Sequence, residues 1–88
     1  MEQVIYFLFQ IKKTKGADGQ NLHDTEKPVE LMKILVENSS KENEIVFDPF
    51  MGSGTTGVAC LQNNRKFIGC EIDEHYFEIA KQRIENCC

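Results

Sequence analysis

This 88-residue chain has no excess of positive charge: ten Lys and Arg face fourteen Asp and Glu, a net charge of −4. Such a surface does not attract phosphate backbones, so a nucleic-acid role would need its backbone-gripping groups elsewhere. Long hydrophobic runs are missing too. The apolar stretch Val4 to Phe9 is too short to cross a bilayer, and it lacks the basic start and small-residue cleavage site of a secretory leader. No membrane association is expected. The four cysteines, Cys60, Cys70, Cys87 and Cys88, form no C-x-x-C pair, and His23 and His75 stand far apart in the sequence. A metal cluster is therefore not expected, and a reducing cytoplasm is the expected compartment. Internal repeats and low-complexity tracts are absent. Length is also short: a chain of this size is one small domain, burying only about 60–65% of its unfolded surface.

What is present is the pattern of an α/β protein. VIYFLFQIK, Val4 to Lys12, is rich in β-branched and aromatic residues and reads as a strand. Being apolar on both faces, it calls for burial on both sides. A polar connector covers residues 13 to 24. Pro28 then opens a helix reaching about Asn38, where Val29, Met32 and Leu35/Val36 recur at helical spacing and Leu31 and Ile34 widen the stripe. EIVFD, Glu44 to Asp48, is a short strand, followed by a glycine loop and a helix from about Thr55 to Gln62. After the turn Asn63-Asn64-Arg65 comes a strand, Lys66 to Glu71. Asp73 caps a last helix that turns Phe77, Ala80 and Ile84 inward. Strand–helix–strand–helix in this order implies parallel strands with a right-handed crossover.

The glycine loop, DPFMGSGTTG at residues 48 to 57, carries the chemistry. It is not a Walker loop. Gly52 and Gly57 have the spacing, but Val58-Ala59 follow where Lys-Ser/Thr is needed to balance phosphates. Gly52-x-Gly54-x-x-Gly57 does match the dinucleotide-binding turn, and Glu71 ends the next strand nineteen positions after Gly52. A carboxylate at that strand tip can accept hydrogen bonds from both hydroxyls of an adenosine ribose. Charge separates the candidate ligands. Asp48 would repel a dinucleotide's two phosphates, whereas the sulfonium and ammonium of S-adenosylmethionine favour a nearby carboxylate. The methyl donor's single carboxylate is left to the loop's N–H groups.

DPFMGSGTTG followed by FIGCEIDEHYFEIAKQRI resembles the cofactor-binding half of the DNA amino-methyltransferases, which methylate adenine N6 or cytosine N4. Upstream, HDTEKPVELMKILV resembles the family's His-Pro-Thr-Glu/Gln-Lys-Pro segment, with Asp24 standing where the family has proline. The matched motifs run in family order over residues 23 to 84. The resemblance implies a partial Rossmann-like methyltransferase fold: a βαβα unit with parallel strands, preceded by a strand and a helix. It divides the chain into an N-terminal strand and connector, residues 1 to 22, and a cofactor-binding fragment, residues 23 to 88. By the same resemblance Thr25 and Lys27 lie beside the methionine part of S-adenosylmethionine. Asp48, Phe50, Gly52, Ser53 and Gly54 wrap its methionyl and sulfonium region, Glu71 takes the ribose, and Ile72 packs on the adenine.

The family's acceptor site is an [Asp/Asn/Ser]-Pro-Pro-[Tyr/Phe/Trp] segment whose polar groups hold the exocyclic amine and whose ring stacks on a flipped base. Here the only prolines are Pro28 and Pro49, which are not adjacent, and no basic target-recognition region is present. No residue of this chain is therefore expected to be catalytic, and DNA is expected to be reached only through an upstream region or a partner chain. Because so few strands and helices cannot cover both faces of a sheet, self-association through exposed apolar surface is expected. Two other readings stand beside this one: a non-catalytic remnant or regulatory module that keeps the cofactor site, and a nicotinamide-dinucleotide module of an oxidoreductase.

Overall fold

A computed structural model describes residues 6–11 and 27–87. Its elements are β1 (Tyr6–Gln10), α1 (Val29–Ser39), β2 (Ile45–Asp48), α2 (Thr55–Gln62), β3 (Lys66–Glu71) and α3 (Glu74–Asn86). Each expected strand and helix is found, with bounds shifted by a residue or so. Of the first expected strand, Val4, Ile5 and Lys12 lie outside the described residues. Pro28 sits just before α1 rather than inside it. Its φ of −58° and ψ of 136° are extended, and its carbonyl accepts from Leu31 at 3.1 Å and Met32 at 3.2 Å, closing the first turn. At α3, Asp73 caps as expected: its Oδ1 accepts the Tyr76 N–H at 3.0 Å.

The three strands form a parallel sheet in the order β1-β3-β2. Val46 pairs with Phe67 and Asp48 with Gly69 on one side of β3, while Tyr6 pairs with Phe67 and Gln10 with Glu71 on the other. Along β3 alternate residues are buried, so Phe67, Gly69 and Glu71 face the helices. α2 and α3 pack on this face, and α1 packs against α2. The core there is Phe67 with Val58, Ala59 and Cys60 of α2 and Ala80 and Ile84 of α3. Gly57 lets α2 approach this closely: a Cβ there would lie 2.7 Å from both Ile84 Cδ1 and Phe67 Cε2.

Two expectations about burial are corrected. β1 was expected to be buried on both sides, yet Phe7 and Phe9 are exposed, because the described helices lie on one face of the sheet only. On α1 the stripe is narrower than the sequence suggests. Val36 is buried and Val29 and Met32 pack on the core, but Leu31, Ile34 and Leu35 are exposed. Among the described elements α1 packs only against α2, so one narrow strip of it is covered. Its end is tied down by the buried Arg65, which donates from Nη2 to the Ser40 carbonyl at 2.7 Å, from Nε to Ser40 Oγ at 3.0 Å and from Nη1 to the Asn63 carbonyl at 2.8 Å.

Candidate functional site

Parallel strands all deliver their C-terminal ends to the same edge of the sheet, where α/β proteins bind ligands. Here that edge carries Asp48 on β2 and Glu71 on the adjacent β3. The loop from Pro49 to Gly54 crosses between them. Asp48 Oδ1 accepts the Phe50 N–H at 3.0 Å, a local turn that bends the chain away from β2. Met51 is buried and donates its N–H to the Cys70 carbonyl at 3.0 Å, which carries the loop across the top of β3.

Glu71 then fixes the loop to the strand end. Its Oε1 accepts the Gly52 N–H at 2.9 Å and its Oε2 accepts the Asp73 N–H at 2.7 Å. Each carboxylate oxygen has a second lone pair, so acceptor capacity remains for a ligand hydroxyl. The loop closes with the Gly54 N–H donating to the Met51 carbonyl at 2.9 Å. Gly54 has φ of +85°, and a Cβ on it would meet the Ala80 Cβ at 2.9 Å, so both backbone conformation and the approach of α3 require glycine.

One group in the site was not singled out from the sequence. Arg83 on α3 donates from Nη1 to the Ser53 carbonyl at 2.9 Å, to Ser53 Oγ at 3.1 Å and to Thr55 Oγ1 at 3.1 Å. Ser53 and Thr55 are buried beneath these bonds. The signal available in the sequence was spacing: Arg83 lies three residues after Ala80, on the helical face that touches the loop.

The structure brings together seven of the nine expected cofactor residues: Asp48, Phe50, Gly52, Ser53, Gly54, Glu71 and Ile72 occupy the ends of β2 and β3 and the loop between them. Two apolar side chains stand open beside the polar cradle, Phe50 at 76% exposure and Ile72 at 42%. Lys27 is exposed at the foot of α1 and makes no hydrogen bond or ion pair to this group among the described residues. Thr25, with His23 and Asp24, lies outside the described residues.

Burial pushes the Cys60 thiol up to about 11, with Arg65 drawing it down and Asp48 adding to the rise, so this cysteine is an inert part of the core. Among the described residues no group of His, Cys, Asp and Glu could hold a metal ion, and no helix is long and apolar enough to cross a membrane. An open groove of about 370 Å³, lined by Leu35, Val36, Ser40, Ile45 and Val46 among others, lies at the opposite end of β2 from the glycine loop.

The proteins this chain resembles are methyltransferases. Residues 4–82 match the model of the N6/N4 methyltransferase family described as DNA methylase. The chain is 45% identical over 73 residues to the type II methyltransferase M2.LlaDCHI of Lactococcus lactis subsp. cremoris, covering 83% of this chain and 26% of the relative. To the type II methyltransferase M.HinfI of Haemophilus influenzae it is 37% identical over 73 residues, 83% of this chain and 20% of that one. Among solved structures, the M1.HpyAVI–SAM complex superposes with a TM-score of 0.67 at 48% identity, over 68% of this chain and 31% of the other. A putative DNA modification methylase from Thermus thermophilus, complexed with S-adenosyl-L-methionine, gives 0.65 at 37% identity, over 68% and 25%. The chain thus spans about a quarter of the length of these relatives. Glycine loop, acidic strand ends and parallel sheet agree with sequence likeness over most of the chain: it belongs to the N6/N4 family of DNA methyltransferases.

Proposed function

We propose that this chain is the S-adenosylmethionine-binding portion of a site-specific DNA methyltransferase that acts on the exocyclic amine of adenine or cytosine. The observation that carries this reading is the pair of carboxylates, Asp48 and Glu71, on adjacent parallel strand ends beside a loop anchored by Arg83. That donor set fits a zwitterionic methyl donor. Asp48 suits the sulfonium and ammonium, Phe50 lies beside it at the methionyl region, Glu71 has lone pairs for the ribose hydroxyls, and the exposed face of Ile72 suits the adenine. A pyrophosphate would set two negative groups against the same Asp48. Thr25 and Lys27 belong to the proposal by family position. When bound, S-adenosylmethionine supplies the activated methyl group; the residues of this chain hold and orient it.

Acceptor chemistry is assigned to polypeptide outside these 88 residues. An exocyclic amine must be held by hydrogen-bond acceptors in line with the methyl group, and the sequence has no adjacent prolines to build the family's acceptor segment. The open face of the sheet, around Phe7, Ile68 and Phe47, and the edge of β2, which is unpaired among the described residues, are the surfaces available for that second part or for a second copy of this chain. Labelled methyl transfer from S-adenosylmethionine to DNA tests the proposal. The chain alone is expected to transfer none, and a mixture with a polypeptide carrying an Asp-Pro-Pro-Tyr-like segment and a recognition region is expected to transfer. Transfer by the chain alone, or cofactor binding without transfer in any such mixture, contradicts it.

A second reading is a remnant that binds the cofactor and has lost the reaction. An adjoining reading frame encoding the acceptor segment supports the first reading, and its absence supports the second.

A further inference from the structure

Arg83 makes all three of its described Nη1 bonds to the glycine loop and the first residue of α2, thirty and twenty-eight positions away in sequence. Nη1 has two N–H bonds, so the three oxygens share them, and this carbonyl–hydroxyl–hydroxyl nest is filled by a planar cation. One residue earlier, Glu71 holds the Gly52 N–H at 2.9 Å. Consecutive loop residues are thus pinned by opposite charges from opposite sides, Gly52 by β3 and Ser53 by α3. On either side of Ser53 the loop has two positive-φ glycines, Gly52 at 55° and Gly54 at 85°, whose backbones have unusual rotational freedom when nothing holds them. α2 has no side-chain cap either: its N-cap is Gly54, and no side chain accepts from its first N–H groups. The loop's shape therefore depends on α3 as well as on its own sequence.

We infer that Arg83 is a positioning residue for the methionyl end of the cofactor: it fixes the Gly52-Ser53-Gly54 backbone and places a positive charge behind it. This rests on the methyl-donor reading. Asp48 at the end of β2 bonds to the start of the loop at Phe50 and Arg83 on α3 bonds to its far end at Ser53 and Thr55, so the loop carries a negative group at one end and a positive group at the other. A zwitterionic methionyl chain matches that polarity, with its cationic groups toward Asp48 and its carboxylate toward the loop backed by Arg83. The adenosine end, at Glu71 and Ile72, is held by different residues and owes nothing directly to Arg83.

Two ligands and two variants test this. S-adenosylhomocysteine has the amino-acid end; 5′-methylthioadenosine has the same adenosine without it. By titration calorimetry, Arg83→Met is expected to weaken S-adenosylhomocysteine about 10- to 100-fold while changing 5′-methylthioadenosine by less than about threefold. Arg83→Lys, which keeps the charge but cannot reach all three oxygens, is expected to fall between. Lys81→Met, an exposed charge on the same helix, is expected to change neither. Equal losses for both ligands, or no loss, overturn the inference. Amide hydrogen exchange in the unliganded chain supplies an independent arm. Arg83→Met is expected to speed exchange at Gly52 and Gly54 while leaving β3 protected, and unchanged exchange at those two amides overturns the loop-holding role. If the unsubstituted chain binds neither ligand, the methyl-donor reading fails and takes the ligand part of this inference with it, and the exchange result still decides whether Arg83 holds the loop.

Discussion

The two faces of the sheet are made from the same kinds of residue and have opposite fates. On one face Phe67 is fully buried under α2 and α3, in contact range of Ile84 and the backbone of Gly57. On the other, Phe7 and Phe47 flank Ile68 in register, at 57% and 59% exposure. Parallel sheets are normally covered on both faces. A finished core on one side and an aromatic row open on the other is the structure expected of part of a larger α/β fold. It agrees with a chain that spans about a quarter of its relatives. The glycine loop sits at the edge of the finished face, so the proposed cofactor site is supported by the covered side of the sheet.

Substitutions on the two faces should separate them. Phe67→Ala removes the largest side chain of the covered core and is expected to cost about 3–5 kcal/mol, enough to unfold so small a domain, read by urea denaturation. A loss below about 1 kcal/mol would mean that this face is not the core. Gly57→Ala tests how tightly that core is closed. Its new methyl would crowd Ile84 and Phe67, and the net loss is expected to be about 1–3 kcal/mol despite alanine's better helix propensity. A gain in stability would show that α2 stands further from the sheet. Phe47→Ser on the open face is expected to change stability by less than about 1 kcal/mol. Its effect should appear instead in light scattering and apolar-dye binding, both of which should fall. A strongly destabilised Phe47→Ser chain would show that the second face is covered after all.

Much of this arrangement was legible in the sequence because local signals agree. Pro28 and Asp73 mark helix starts, the spacing of Phe77, Ala80 and Ile84 marks the buried face of α3, and the nineteen-residue separation of Gly52 and Glu71 places loop and carboxylate on neighbouring strand ends. The open face was harder. The run around Phe7 and Phe9 states that a strand is apolar on both sides, but it does not say which stretch of polypeptide supplies the covering layer. Arg83 was missed for a related reason. Its partners, Ser53 and Thr55, are far away in the chain, and on a helix bearing several charges it looks like one more solvated side chain. Glu71 was read only for a ligand, whereas it first satisfies the backbone of its own loop at Gly52 and at Asp73.

On the proposed reading Asp48, at the start of the glycine loop, selects a sulfonium donor over a dinucleotide, while Glu71 would serve the ribose of either. Titration calorimetry of the unsubstituted chain against S-adenosylmethionine and NADH tests it most directly. Saturable binding of S-adenosylmethionine with none of NADH is the predicted result, and binding of NADH with none of S-adenosylmethionine would contradict it.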